Sequence, residues 1–109
     1  MRNPRERAYY RVEYPIQERP ALVVGEVEMA VHDVSEHGVR FARHPDLRLS
    51  EGDAVSGLIR FRDRGELQVE GQVVWIRGPL AALELAVPVP FGTILDEQRH
   101  LRDRYRRGE

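Results

Sequence analysis

Asp33-Val34-Ser35-Glu36-His37-Gly38 stands between two apolar, strand-like runs, Val27 to Val31 before it and Val39 to Ala42 after it. Asp and Ser side chains bond the nearby backbone and Gly supplies positive φ, so the stretch predicts a tight reversal between two strands. Upstream, Val27, Met29 and Val31 alternate with Glu26, Glu28 and His32, the pattern of a half-buried antiparallel strand that carries Asp33 at its end. Downstream, Val39 and Phe41 are set against Arg40 and Arg43 in the next strand.

The same alternation recurs on both sides of this reversal. Ala21 to Val24 is a short apolar strand ahead of it, with Gly25 as a turn or bulge. After a loop over His44 to Asp53, Ala54 to Arg62 carries Val55, Leu58, Ile59 and Phe61. Asp63-Arg64-Gly65 is a hairpin loop, and Leu67 to Ile76 sets Leu67, Val69, Val73 and Trp75 against Gln68, Glu70 and Gln72. Arg77-Gly78-Pro79 turns the chain into Leu80 to Val87, with Ala81, Leu83, Leu85 and Val87 on one face and Glu84 on the other. About six short strands with turns between them predict a closed barrel or a sandwich.

The two ends read differently. Met1 to Pro20 has no clean period and holds Pro4, Pro15 and Pro20, so it is expected to be a charged arm, partly extended, against the strands. Pro88 and Pro90 end the last strand, and Thr93 to Arg107 reads as a helix with Ile94, Leu101 and Tyr105 at helical spacing. Asp96 and Glu97 lie early in it and Arg104, Arg106 and Arg107 late, matching the helix dipole. Its apolar stripe is narrow, which predicts a helix resting on the strands rather than entering their core.

Composition bounds the function. At 109 residues, 41% hydrophobic and 32% charged, the chain is one soluble globular domain. Zero Cys excludes disulfides and thiolate metal sites, and the charged N-terminus has no apolar segment of a secretory signal behind it. Apolar runs fall far short of the roughly 20 residues of a membrane span, so no membrane insertion is expected and the default location is cytoplasmic. The net charge of −1 hides an asymmetry: residues 1–19 carry five Arg against three acids, residues 93–109 five against four, and residues 20–92 seven against eleven. An acidic middle argues against a nucleic-acid polymer as partner and suits a small anionic ligand held by a terminal arm.

A second signal lies in that arm. Arg7-Ala8-Tyr9-Tyr10-Arg11 gives RxxxR, followed after 21 residues by the DxSxxG of Asp33 to Gly38. Taken alone, Arg7 and Arg11 read as a solvated pair, and Asp33, Ser35 and Gly38 as a self-capping turn. In this order and at this separation, with the strand pattern around them, the two motifs resemble those of the PilZ domain, a small β-barrel family that binds the bacterial second messenger cyclic di-GMP. The resemblance covers nearly the whole chain. It implies an all-β fold: a six-stranded antiparallel β-barrel with a charged N-terminal arm (1–20), a barrel (21–88) and a C-terminal α-helix (93–107). Val73-Val74-Trp75 and Leu83-Glu84-Leu85 resemble the family's last hairpin, although Ala82 and Ala86 stand where a Gly and an aromatic residue are common.

The resemblance also implies site roles. Arg7 and Arg11 would bind a guanine edge or face and the phosphates, since an Arg fork matches guanine O6 and N7 and phosphate oxygens. Asp33 would accept from guanine N1 and N2, Ser35 would donate to a phosphate or bond the base, and Gly38 would spare the ligand a Cβ. Trp75 is either core or a wall for a guanine, and Tyr9 and Tyr10 pack the arm or stack. Glu6 replaces an Arg common in the family, which implies one bound nucleotide rather than two. The implied ligand is cyclic di-GMP, with no cofactor, and the implied partner a downstream effector protein. A PilZ-like interaction module with an unused nucleotide site is the alternative. Enzymatic readings find little support: His32, His37, His44 and His100 lack metal-ligand spacing, and Ser35-Glu36-His37 is not a nucleophile elbow.

Overall fold

The computed structural model describes residues 11–62 and 65–107. Its elements are β1 (Val12–Glu13), a 3-10 turn (Ile16–Glu18), β2 (Ala21–Val24), β3 (Val27–Val34), β4 (Gly38–Ala42), β5 (Ala54–Arg60), β6 (Glu66–Arg77), β7 (Leu80–Leu85) and α1 (Phe91–Arg107). Among the described residues, six strands close a ring in the order β3-β2-β5-β6-β7-β4, every pairing antiparallel, with β4 returning to β3. Closure leaves the ring no free edge, which settles barrel over sandwich. β1 adds to β3 beyond the end of β2, with Val12 opposite Val34 and Glu13 opposite Asp33.

Alternation fills the interior as the sequence implies. Leu22, Val31, Phe41 and Ile59 are fully enclosed, joined by Val73 and Leu83. Two glycines let the walls approach closely: a Cβ on Gly57 would collide with the Val23 carbonyl, and one on Gly71 with that of Glu84. Glycine at such points is a packing requirement of a small barrel rather than a turn signal.

Four features depart from the sequence reading. Val87 lies beyond β7 and is 70% exposed, because the strand stops at Leu85. Val12 and Tyr14 belong to the core cluster, so the segment leading into the barrel is partly wall rather than a surface arm. The helix begins at Phe91 and does reach the core: Ile94 is 1% exposed within the core cluster, and Leu101 packs against it. One well-placed side chain is enough for that, even on a narrow stripe. Trp75 does not share the inward face of Val73, for a reason that belongs to the site. No described helix is long and apolar enough to cross a membrane.

A polar seam ties α1 to the N-terminal segment. The Tyr14 hydroxyl donates to Glu97 Oε1 at 2.7 Å in a buried position, Gln98 Nε2 donates to the Arg11 carbonyl at 3.0 Å, and Arg104 Nε pairs with Glu18 Oε2 at 2.5 Å. Glu18 is 4% exposed, and His100 Nε2 stands 4.0 Å from its other oxygen. Burial, then the hydrogen bond and the negative charge of Glu97, push the Tyr14 phenol far above its ordinary pKa.

Candidate functional site

Two β-bulges create the site. β3 pairs with β4 as Val31 to Phe41, Asp33 to Arg40 and Val34 to Val39, leaving His32 as the extra residue. Strict alternation would point Asp33 inward beside Val31. The extra residue turns it to the outer face and sends Val34 into the core instead, 2% exposed. β6 repeats the device against β7: Val73 faces Leu83, Trp75 faces Ala82, and Val74 is extra. Ile76 therefore packs on the core and Trp75 stands outside, half-buried.

Directly opposed residues of an antiparallel ladder share a face. Following the registers across β3, β4, β7 and β6 gives a single outer row, Asp33–Arg40–Ala82–Trp75. Three strand spacings make this row about 14 Å long. A parallel row, Gly38–Glu84–Gln72, runs beside it. The first row, with Gly38 and Glu84 of the second, floors a cleft of about 440 Å³ whose lining also includes Arg11 and Ser35. Ala82, small and 8% exposed, leaves the middle of the floor low. Arg77 does not line the cleft, and its guanidinium carbon lies 4.4 Å from the centroid of the Trp75 ring. Other grooves, of about 440 and 610 Å³, run along β5 and β6; they carry Glu70 and no arginine, a poor match for an anion.

The reversal at one side of the cleft is rigidly held. Ser35 N–H donates to the Gly38 carbonyl at 2.9 Å, and Ser35 Oγ reaches the same oxygen at 3.5 Å. Leu85 N–H donates to the His37 carbonyl at 2.8 Å and Val89 N–H to that of Glu36 at 2.7 Å, so the end of β7 and the stretch after it anchor the loop. Gly38 does not have the positive φ that the turn pattern predicts; among the described residues that conformation belongs to Gly25, Gly52, Gly65 and Gly78. Gly38 opens β4 in extended backbone, and a Cβ there would meet the Leu83 carbonyl and Ser35 Oγ at 3.4 Å. Its part in the reversal is its carbonyl, which accepts from Ser35 N–H, and not a positive φ.

Asp33 is the most enclosed charge of the cleft, its side chain 10% exposed against 39% for Arg40. Arg40 Nη2 lies 2.5 Å from Asp33 Oδ2, yet neither that oxygen nor Arg40 Nε has hydrogen-bond geometry to any partner among the described residues. The pair is a close charge contact set off the hydrogen-bond axis. His32, the bulge residue, has its pKa lowered by burial and then by Arg19 and Arg40, with Asp33 opposing.

Of the residues singled out in the sequence, Arg11, Asp33, Ser35, Gly38 and Trp75 therefore border one cleft. Arg7 lies outside the described residues, as do Glu6, Tyr9 and Tyr10. Arg40 was not among the candidates. Its signal was present, since it alternates with Val39 and Phe41 and stands two residues after Gly38, on the same face. No cluster of three or more His, Asp or Glu disposed to hold a metal occurs among the described residues.

A family model described as PilZ domain matches residues 5–104. The fold is similar to the crystal structure of an uncharacterized Legionella protein, with 9% identity, TM-score 0.63, and coverage of 90% of this chain and 99% of that one. It is also similar to the Bacillus subtilis inhibitor of motility (MotI/DgrA), with 14% identity, TM-score 0.54 and 92% of this chain aligned; the chain spans about half, 51%, of that protein. At such identities the likeness shows the fold alone. No curated protein sequence matches. With a family match that takes in nearly every described residue, both motifs and the closed six-stranded ring, the chain belongs to the PilZ domain family.

Proposed function

We propose that this protein is a cyclic di-GMP receptor, an adaptor whose N-terminal arm closes over the ligand and alters a surface read by a downstream effector protein. The observation that carries the reading is convergence: Arg11 of RxxxR and Asp33, Ser35 and Gly38 of DxSxxG border the same cleft although 21 residues separate the motifs. PilZ domains are binding and adaptor modules, and the ligand is a messenger rather than a substrate. Asp33 accepts from guanine N1 and N2, Ser35 and the arginines Arg7 and Arg11 meet the phosphates, and Trp75 walls the far end of the row. The reading includes a cytoplasmic location, no metal or cofactor, no nucleic-acid polymer and no membrane insertion.

Titration calorimetry with cyclic di-GMP, cyclic di-AMP and GMP tests it. The expected result is submicromolar to low-micromolar affinity for cyclic di-GMP at about one ligand per chain, and much weaker binding of the other two, because adenine lacks the donors Asp33 needs. Equal affinity for the adenine compound overturns the assignment. One observation favours a second reading, a PilZ-like interaction module with an unused nucleotide site: Asp33 Oδ2 is already covered by Arg40. Absence of heat with all three ligands would select it.

A further inference from the structure

Arg40 belongs to neither motif, yet it occupies the centre of the outer row, between Asp33 and the low floor at Ala82. Its side chain is half-exposed and lines the cleft, its Nε is covered, and its Nη2 rests on Asp33 Oδ2 off the hydrogen-bond axis. A guanine base presents the N2 and N1 hydrogens and then O6 and N7 as one continuous edge. Recognising that edge takes a carboxylate and, immediately beside it, a guanidinium fork. Directly opposed strand residues supply that adjacency, with Cβ atoms about 5 Å apart.

We infer that Arg40 is a base-reading residue: it donates to O6 and N7 of the guanine whose N1 and N2 hydrogens are accepted by Asp33. The inference rests on the cyclic di-GMP reading and assigns the reading of that edge to a pair rather than to Asp33 alone. The geometry asks for a small rearrangement. In the free protein Arg40 covers Oδ2, so Asp33 offers its other oxygen until the guanidinium turns toward the base. The exchange leaves the enclosed carboxylate compensated at every stage, first by the charge of the guanidinium and then by the donors of the base. Arg40 thus holds the place that the ligand takes.

The alternative role for a cleft arginine is a phosphate contact, and one comparison separates the two. Cyclic di-GMP and its 7-deazaguanine analogue, which lacks N7 and keeps both phosphates, are titrated into the full chain and into Arg40→Met and Arg40→Lys, after melting curves confirm folded protein. For the unaltered chain the analogue should bind on the order of tenfold more weakly, the worth of one charge-assisted hydrogen bond. In Arg40→Met that ratio should collapse to about one. Arg40→Lys should also lose it, because an ammonium keeps the charge but not the fork. A tenfold ratio that persists in both variants overturns the inference, and so does an analogue that binds the unaltered chain as well as cyclic di-GMP does. If the unaltered chain binds neither compound, the receptor reading itself has failed, which is a distinct result.

Discussion

Two enclosed carboxylates among the described residues, Asp33 and Glu18, stand against more exposed arginines, and their settings differ. Asp33 meets Arg40 across β3 and β4, with side chains 10% and 39% exposed. Glu18 meets Arg104 between the 3-10 turn and α1, with side chains 4% and 56% exposed. Burying a carboxylate is costly unless a partner compensates, so each arginine is a condition of its acid being there. At Glu18 the acid is set in a seam between packed elements: Tyr14–Glu97 and Gln98–Arg11 bond beside it, and His100 Nε2 stands 4.0 Å away. At Asp33 the contact is off-axis and borders a cleft. The same charge pairing is a joint in one place and an unfinished bond in the other. What separates them is the setting, packed elements around Glu18 and an open cleft beside Asp33, not the acid itself.

If this contrast is right, damage to the seam should appear in stability and damage to the cleft in binding. The largest effect is expected from Ile94→Ala, which empties the side chain that plants α1 in the core. Such truncations cost about 2 to 5 kcal/mol, read as a lower denaturant midpoint. Arg11→Ala comes next: loss of a charged contact of about 1.5 to 3 kcal/mol should weaken cyclic di-GMP tenfold to a hundredfold. The melting temperature without ligand should barely move, because Gln98 holds the Arg11 carbonyl rather than its side chain. A fall as large as that of Ile94→Ala would make Arg11 part of the seam and erase the distinction.

Tyr14→Phe should cost about 1 to 2 kcal/mol, since it leaves a buried Glu97 oxygen without its phenol donor. It also carries a pH signature. The folded pKa of Tyr14 is raised above its ordinary 10.0, so its contribution is fully present below that value. It is lost as pH rises further, where the unfolded chain releases a proton that the folded chain retains. Urea midpoints above pH 10 should therefore fall more steeply for the unaltered chain than for Tyr14→Phe; parallel curves would count against the seam. The smallest effect concerns His32, whose folded pKa is lowered. Its neutral form contributes stability above about pH 6.5, lost as pH falls through the folded value. His32→Gln should flatten that acid limb by a few tenths of a kcal/mol, given its solvent exposure.

Much of the barrel was legible because alternation is a direct imprint of a two-sided wall. Val27, Met29 and Val31 point one way for that reason, as do Ala81, Leu83 and Leu85. The placement of Asp33 and Trp75 was not legible. Each depends on one extra residue, His32 or Val74, and a bulge changes a count without changing the hydrophobic pattern. Trp75 reads as the natural continuation of Leu67, Val69 and Val73, and only the Ala82 register reveals the switch of face. The seam was equally hidden. Glu18 and Arg104 are ordinary surface-type residues far apart in the chain, and no local period links them. Gly38 misled for the opposite reason: a familiar turn signal suggested positive φ where the backbone is extended.

The Tyr14–Glu97 bond joins residues 83 positions apart, and this has a consequence for how the chain assembles. Contacts between distant residues form late, because the intervening loop must first be closed. During synthesis at about 5 to 20 residues per second, Tyr14 waits roughly 4 to 17 s before its partner is added. The hairpin that pairs Asp33 with Arg40 needs only local chain and is available long before. The nascent protein therefore has the residues of its recognition hairpin early, and can secure Arg11 against α1 only among its last events. A chain interrupted before Glu97 would carry the DxSxxG turn while the segment bearing Arg11 lacked its anchor.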